Sequence, residues 1–260
     1  MRTWIVAVTV VVAIGLGGCA AVPRPAIDAS LTAANNAPPY DAWARVLGRY
    51  VDEQGRVDFA AIASDRADLD RFVAYVYDVS PQSAPQHFNT AAVVLAFHLN
   101  AYNALAMHKV IDRGVPVTLA GLRKVSFFAF GPVMVGGRAI TLYDYENKVI
   151  RPLGDPRLHM ALNCMSAGCP RLPRAPFLPG TLDRQLERET RFFFSERRNL
   201  QIDHGARVAR VSAILKFFPE DFLRVAPSLI AFINRYVDTS IPSDYRLDYI
   251  PYDWTIHRQP

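Results

Sequence analysis

A chain of 260 residues that is 51% hydrophobic, with 15 Phe and 11 Tyr, is globular in composition and excludes a disordered or low-complexity protein. The formal charge is +5, and the densest basic run, residues 184–198, interleaves acids with its arginines. That is the pattern of a solvated helix face with i,i+4 pairs, whereas a nucleic-acid site needs a single-sign stripe, so nucleic acid is not an expected partner.

The amino end opens with Met1 and Arg2, continues as the uncharged apolar stretch of residues 4–16, and closes with Leu16-Gly17-Gly18-Cys19. A basic start, a short apolar core and small residues before a cut are the marks of a secretory signal. The apolar run is well below the roughly 20 residues a membrane-spanning helix needs. Leu-Gly-Gly-Cys resembles the lipobox of bacterial lipoproteins. The resemblance implies cleavage after residue 18 and diacylation of Cys19, and two acyl chains anchor stably where one does not. Ala20, by likeness to the sorting rule of enteric bacteria, implies the outer membrane and a domain facing the periplasm. Residues 19–40, rich in Ala, Pro, Asn and Ser, read as a flexible tether, and residues 41–260 as a single globular domain. An exported chain meets an oxidising compartment. With Cys19 taken by lipid, Cys164 and Cys169 are the remaining thiols.

In chain order, residues 42–51 read as an amphipathic helix, and 57–59 as a short extended piece. Residues 65–79 form a helix with Leu69, Phe72, Val73 and Val76 on one face. Residues 89–112 give the strongest helix, apolar nearly all round and therefore central and buried, capped by Asn89 or Thr90 and stopped by Gly114 and Pro116. Apolar runs at 127–135 and 138–142 flank Gly136-Gly137 and predict a β-hairpin. A short helix over 143–151, a buried strand or helix segment at 158–163, and a helix over 182–197 follow. A second hairpin is predicted around His204-Gly205, then helices over 215–223 and 228–237, and an extended tail from 245 to 254. The fold class is α+β: one domain, mostly helical with small antiparallel hairpins, around a buried central helix.

Several of these residues carry a resemblance. Ala96-Phe97-His98-Leu99-Asn100-Ala101-Tyr102-Asn103-Ala104-Leu105, the Gly-Gly hairpin, and Asp144 with Glu146 stand in the order of a known pattern. So do Arg157, His159, Ala161, Asn163-Cys164, Ser166, Cys169-Pro170 and the late Tyr252-Asp253-Trp254. Together they resemble the family called domain of unknown function 547, over roughly residues 43–257. The chain departs from it at His98, where Trp is usual, and at His257, where Asn is common. The resemblance implies no reaction.

The segment 157–170 packs Arg157, His159, Asn163, Cys164, Ser166 and Cys169 into fourteen residues, and such groups are costly to bury unless paired or used. Four readings fit the cysteines. They form a structural disulfide shaped by Gly168 and Pro170; they form a redox-active pair; one is a nucleophile with a thiolate favoured by His159; or they belong to a metal site. The metal reading lacks a clear fourth ligand, and no metal or cofactor is expected. In the nucleophile reading, Glu146 or Asp253 would orient the imidazole. Asn100 and Asn103, three apart on the apolar helix, either line a pocket opposite the cysteine loop or tie the helix to loop backbone. His98 reads as a satisfied core histidine, Asp144 and Glu146 as helix-start charges, and Tyr252-Asp253-Trp254 as a packing clamp. Two functions therefore stand open: a non-catalytic binding or scaffold module with a disulfide-braced loop, or a thiol-dependent envelope enzyme using His159 with Cys164 or Cys169.

Overall fold

The computed structural model describes residues 22–25 and 37–260; the predicted signal, Cys19 and most of the predicted tether lie outside the described residues. Helix α1 (Tyr40–Tyr50) packs on α2 (Phe59–Ser64) and α3 (Ala67–Asp78), and α3 packs on the 22-residue helix α4 (Ala91–Asp112). In α1, Trp43, Val46, Leu47 and Tyr50 recur at helical spacing and are all buried; in α3, Leu69, Phe72, Val73 and Val76 do the same. Helix α4 begins at the Thr90 cap, whose hydroxyl accepts the Val93 N–H at 3.2 Å. It is buried on nearly every side from Leu95 to Ile111, as its unbroken apolar character requires. Of the extended piece expected at 57–59, Val57 makes single bridges to Val51 and Arg258, while Phe59 already begins α2.

Helix α5 (Leu122–Ala129) precedes an antiparallel hairpin of β1 (Val133–Val135) and β2 (Arg138–Ile140). Phe127 and Phe128 are thus helical rather than extended; helical phasing buries Phe127 in the core and leaves Phe128 half-buried at its edge. Gly136 and Gly137 both have positive φ, 58° and 77°, as a tight two-residue hairpin turn demands. At Gly136 a Cβ would also stand 2.1 Å from the Ser80 hydroxyl, so no other residue fits without displacing Ser80. Helix α6 (Leu142–Asp144) runs on into a wider π turn over Tyr145–Ile150 and a 3-10 turn over Arg151–Leu153. A second 3-10 turn, Pro156–Met160, delivers the chain to the cysteine loop.

Beyond the loop come helix α7 (Leu182–Ser195) and the strands β3 (Leu200–Asp203), β4 (Val208–Ser212) and β5 (Arg246–Ile250) in the order β3-β4-β5. The β3/β4 hairpin is antiparallel, and β5 joins β4 in parallel, with Ala209 opposite Leu247. The helix expected over 215–223 is divided into α8 (Ile214–Phe217) and α9 (Pro219–Leu223), because Pro219 disfavours helical backbone at Phe218. Helix α10 (Leu229–Ile233) follows. One core surrounds α4; a second, containing Phe193, Leu215, Phe222 and Phe232, lies beneath the three-stranded sheet. The fold is a helix-dominated α+β domain.

The last residues return across the molecule. Thr255, Ile256 and Arg258 make single bridges to Thr118, Ser166 and Val57. This strap closes over the loop that carries the two thiols. Among the described residues no helix is long and apolar enough to cross a membrane.

Candidate functional site

The segment 161–170 has little regular structure, and side chains from elsewhere hold its backbone. Asn103 of α4 donates to the Ala161 carbonyl at 2.9 Å and accepts the Asn163 N–H at 2.7 Å. Asn163 donates to the Pro170 carbonyl at 2.7 Å and accepts the Met165 N–H at 2.6 Å, closing the loop on itself. Met165 takes a positive φ of 71°, a left-handed conformation costly for a non-glycine residue and sustained by these bonds. The Arg198 guanidinium donates to the Ala167 and Cys169 carbonyls at 2.5 and 3.1 Å. Along the other edge runs the strap: Ala167 N–H to Thr255, Gly168 N–H to Asp253, and His257 N–H to Met165. Gly168 permits this approach, since a Cβ there would lie 2.9 Å from both the nitrogen and the oxygen of the Asp253 backbone.

Inside this frame the two sulfurs lie 2.9 Å apart, and both cysteines are free and buried. The Cys164 N–H donates to Cys169 Sγ at 3.1 Å, and the Tyr252 hydroxyl stands 3.0 Å from the same sulfur. The Ser166 hydroxyl is 3.0 Å from Cys164 Sγ and 3.5 Å from Cys169 Sγ. Burial pushes both thiols up. At Cys169 that is outweighed by hydrogen bonds from Cys164, Ser166, Tyr252 and the Cys164 backbone, which hold this thiol below its ordinary value. Cys164 moves the other way, well above its ordinary value, because burial is reinforced by the adjacent Cys169 charge. The pair is therefore asymmetric: its surroundings favour the thiolate at Cys169 and the protonated thiol at Cys164.

Both sulfurs line a pocket of about 390 Å³ whose walls include Tyr102, Glu146, His159, Phe218 and Trp254. The Tyr102 hydroxyl donates to Glu146 Oε2 at 3.0 Å. Burial pushes the Glu146 carboxyl up to about 7, the Tyr102 bond pulls against that, and the Cys169 charge adds to it. Glu146 thus faces the site with a proton to give or take near neutrality, instead of acting as a helix-start charge. Asp144 serves the surface, paired with Lys148 at 2.9 Å.

His159 is buried, stacked on Phe218 at 4.3 Å between ring centroids, and its Nε2 lies 2.8 Å from Asp221 Oδ2. The acid that orients the imidazole is Asp221, and neither Glu146 nor Asp253 does so. Burial would raise the Asp221 carboxyl, but bonds from His159 and from Arg151 at 2.7 Å hold it well below the usual carboxylate range. Burial also holds His159 below its ordinary value, against the opposing pull of Asp221. No hydrogen bond joins His159 to either thiol among the described residues, so the imidazole shares the pocket wall without touching the sulfurs.

The other candidates fall into place individually. Asn100 accepts from Trp43 Nε1 at 3.1 Å and from the Phe177 N–H at 3.0 Å, and donates to the Ala96 and Phe177 carbonyls. It ties α4 to a different stretch of loop from the one Asn103 holds. Both amides bond backbone, and Tyr102 between them is the residue that reaches the pocket. Arg157 lies away from the thiols, paired with Asp155 and Asp183 at 2.8 Å each. Asp253 is an exposed turn residue whose carboxylate accepts the Thr255 N–H. His98 is a core residue bonded through Nδ1 to the Tyr145 hydroxyl at 2.8 Å and held by burial down at about 4. Among the described residues no group of three or more His, Cys, Asp or Glu is placed to hold a metal ion. Four residues the sequence reading did not assign to the site complete it: Tyr102, Arg151, Asp221 and, through its hydroxyl, Tyr252.

Residues 86–194 match the model of the family described as protein of unknown function, DUF547. This stretch is a DUF547 segment. It carries the central helix, Glu146, His159 and both thiols, while Asp221 and Tyr252 come from chain beyond it. No curated protein and no solved structure matches the chain.

Proposed function

We propose that this chain is a Cys19-lipidated envelope protein whose DUF547 segment carries out thiol–disulfide exchange in the pocket. The observation that carries the reading is the asymmetric thiol pair, two sulfurs 2.9 Å apart in the pocket wall with a backbone N–H and a tyrosine hydroxyl aimed at one of them. A thiolate is the attacking species in such chemistry, and a protonated partner within reach is what resolves the intermediate. The Cys169 thiolate attacks one sulfur of a substrate disulfide; that S–S bond breaks and a mixed disulfide forms. The departing thiolate takes the Glu146 proton. Cys164 then passes its own proton to the Glu146 carboxylate and attacks the Cys169 sulfur, releasing the second substrate thiolate. Two electrons leave the protein dithiol, the substrate disulfide is reduced, and the reverse sequence oxidises a substrate dithiol.

A second reading keeps the same bond as a fixed brace: a Cys164–Cys169 disulfide that completes the loop already tied by Asn163 and Arg198 in a binding or scaffold module. Redox titration separates the two. An exchange pair has a potential within the range of its compartment, whereas a structural disulfide lies below about −300 mV. With the dithiol form at neutral pH, iodoacetamide is expected to label Cys169 first, and Cys164→Ser to trap a mixed disulfide with a small disulfide probe. Equal, slow labelling of both cysteines in native protein, or a bond that no physiological thiol reduces, would sink the exchange reading and leave the brace. The tether is tested separately: Cys19→Ser should remove acyl mass and shift the protein out of the membrane fraction.

A further inference from the structure

Resting on the proposed Cys19 tether, we infer that the face built by α5 and the flanking loops is a docking surface for an anionic lipid bilayer. The face is unusual first in charge. From Arg113 to Tyr143 the chain contains four basic residues, Arg113, Arg123, Lys124 and Arg138, and no Asp or Glu at all. The face is also unusually apolar for exposed surface: Leu122 is 88% exposed, Phe130 and Val117 65% each, and Val125 49%. Leu122 and Val125 are three residues apart and share a side of α5, with Arg123 and Lys124 beside them, while Phe127 on the opposite side anchors the helix in the core. Apolar side chains flanked by Lys and Arg, without acids, are what an interfacial helix presents to anionic headgroups.

The position of the amino-terminal chain points to the same occupant. Residues Val22, Pro23 and Pro25 line one cavity together with Lys109, Arg113, Gly131, Pro132 and Met134. Arg24 is fixed there by Asp78 at 2.6 Å, and the Tyr77 hydroxyl donates to the Val22 carbonyl at 3.4 Å. Lys109, which has no acidic partner among the described residues, binds the Phe130 carbonyl at 3.2 Å and also the Gly131 carbonyl, and Arg113 holds Ser126 of α5. The docked segment therefore sits against the loop that displays Phe130. Cys19 precedes Val22 by three residues, a reach of about 10 Å for extended chain. An acyl group on Cys19 would enter the bilayer beside this face and hold it there. Lys124, Phe128 and Trp254 belong both to this side of the molecule and to the lining of the thiol pocket, so docking brings the pocket mouth to the lipid surface and favours an amphiphilic substrate.

The test uses the membrane-anchored protein carrying Phe130→Trp, reconstituted in vesicles of phosphatidylcholine with phosphatidylglycerol, with and without bromine on the acyl chains. Leu178→Trp serves as the control. It lies beside Phe177, which is tied to Asn100 nearer the other end of α4, and exposure alone does not bring it to lipid. The Phe130→Trp indole is expected to lose most of its added emission to brominated lipid, the Leu178→Trp indole to lose none. Adding Leu122→Glu and Val125→Glu should abolish the Phe130→Trp quenching. Equal quenching at the two positions, or none at Phe130→Trp, overturns the proposal. So does a dimer in sedimentation that Leu122→Glu dissolves while lipid leaves the indole untouched, since the face would then belong to a second copy. The acyl mass on Cys19, read from the same sample, is independent: quenching without acylation keeps the docking face and refutes the tether.

Discussion

Asn103→Ala is the perturbation that most directly questions how the thiol site is held. The side chain satisfies one backbone carbonyl, of Ala161, and one backbone N–H, of Asn163, at 2.9 and 2.7 Å, all in buried surroundings. Truncation leaves both without partners, and each orphaned buried group costs about 1–3 kcal/mol. A water entering the space relieves part of this, so the expected loss is about 3 kcal/mol, or a Tm lower by about 6–12 °C for a domain of this size. Urea denaturation followed by circular dichroism measures the loss, and iodoacetamide trapping of Cys169 in folded protein measures the site. Asn100→Ala is the matched comparison: it also strips buried bonds, but to Phe177 and Trp43, away from the cysteine loop. Both variants should be destabilised, yet only Asn103→Ala should change the Cys169 labelling rate per folded molecule. A loss under about 1 kcal/mol for Asn103→Ala, or identical labelling changes in both variants, would refute the claim that Asn103 positions the thiols.

Three further outcomes follow from the geometry. Gly168→Ala forces a methyl to 2.9 Å from the Asp253 backbone and 2.8 Å from the Tyr252 ring. Displacement of the strap should cost roughly 1–3 kcal/mol and slow Cys169 labelling by removing the Tyr252 hydroxyl. Asp221→Ala leaves Arg151 and His159 without their shared partner and should cost about 3–5 kcal/mol in thermal or urea unfolding; an unchanged midpoint would contradict the buried pairing. Glu146 is raised in the folded state to about 7 from an ordinary 4.5, so the folded protein holds a proton the unfolded chain releases. Stability from this group is full below pH 4.5 and is lost as pH climbs to about 7, with a limiting slope of about 1.4 kcal/mol per pH unit. Glu146→Gln should flatten the wild-type decline across that window, and urea midpoints at intervals of pH will show whether it does.

Patterns that act locally were legible in the sequence, and associations between distant segments were not. Helix α4 announced itself by unbroken apolar residues between Thr90 and Gly114, and the first hairpin by Gly136-Gly137, because a helix cap and a two-residue turn are decided by neighbours. The crowding of polar residues at 157–170 likewise marked the thiol loop, and their contact with Asn103 follows from the need of buried amides for partners. Helix α5 was misread because Phe127 and Phe128 followed by Gly131-Pro132 look like a strand entering a turn, and only packing decides which of the two rings turns inward. Asp221 was hidden for a different reason. It sits in a five-residue helix 62 residues from His159, and its one local sign, an acid in the first turn after Pro219, fits countless helix starts. Tyr252 was noticed for its bulk, whereas its hydroxyl makes the site, and composition does not reveal where a ring's polar end points. The parallel pairing of β5 with β4 likewise depends on the long excursion between them.

The strap has a consequence in time. Tyr252 lies 83 residues after Cys169 in the chain. A ribosome adding about 5–20 residues per second needs roughly 4–17 s to cover that interval. During those seconds Cys169 has already been made, but the hydroxyl that favours its thiolate has not, and neither have the backbone partners at Asp253 and Thr255. The nascent loop therefore lacks the Tyr252 hydroxyl and the strap's hold on its backbone. The share of the thiols' unequal acidity that comes from Tyr252 arises only when residues 252–258 fold back to bridge Ser166, Thr118 and Val57, whereas the Cys164 N–H and the Ser166 hydroxyl belong to the loop itself. A chain cut before Tyr252 would have its helices complete yet lack the hydroxyl that favours the Cys169 thiolate.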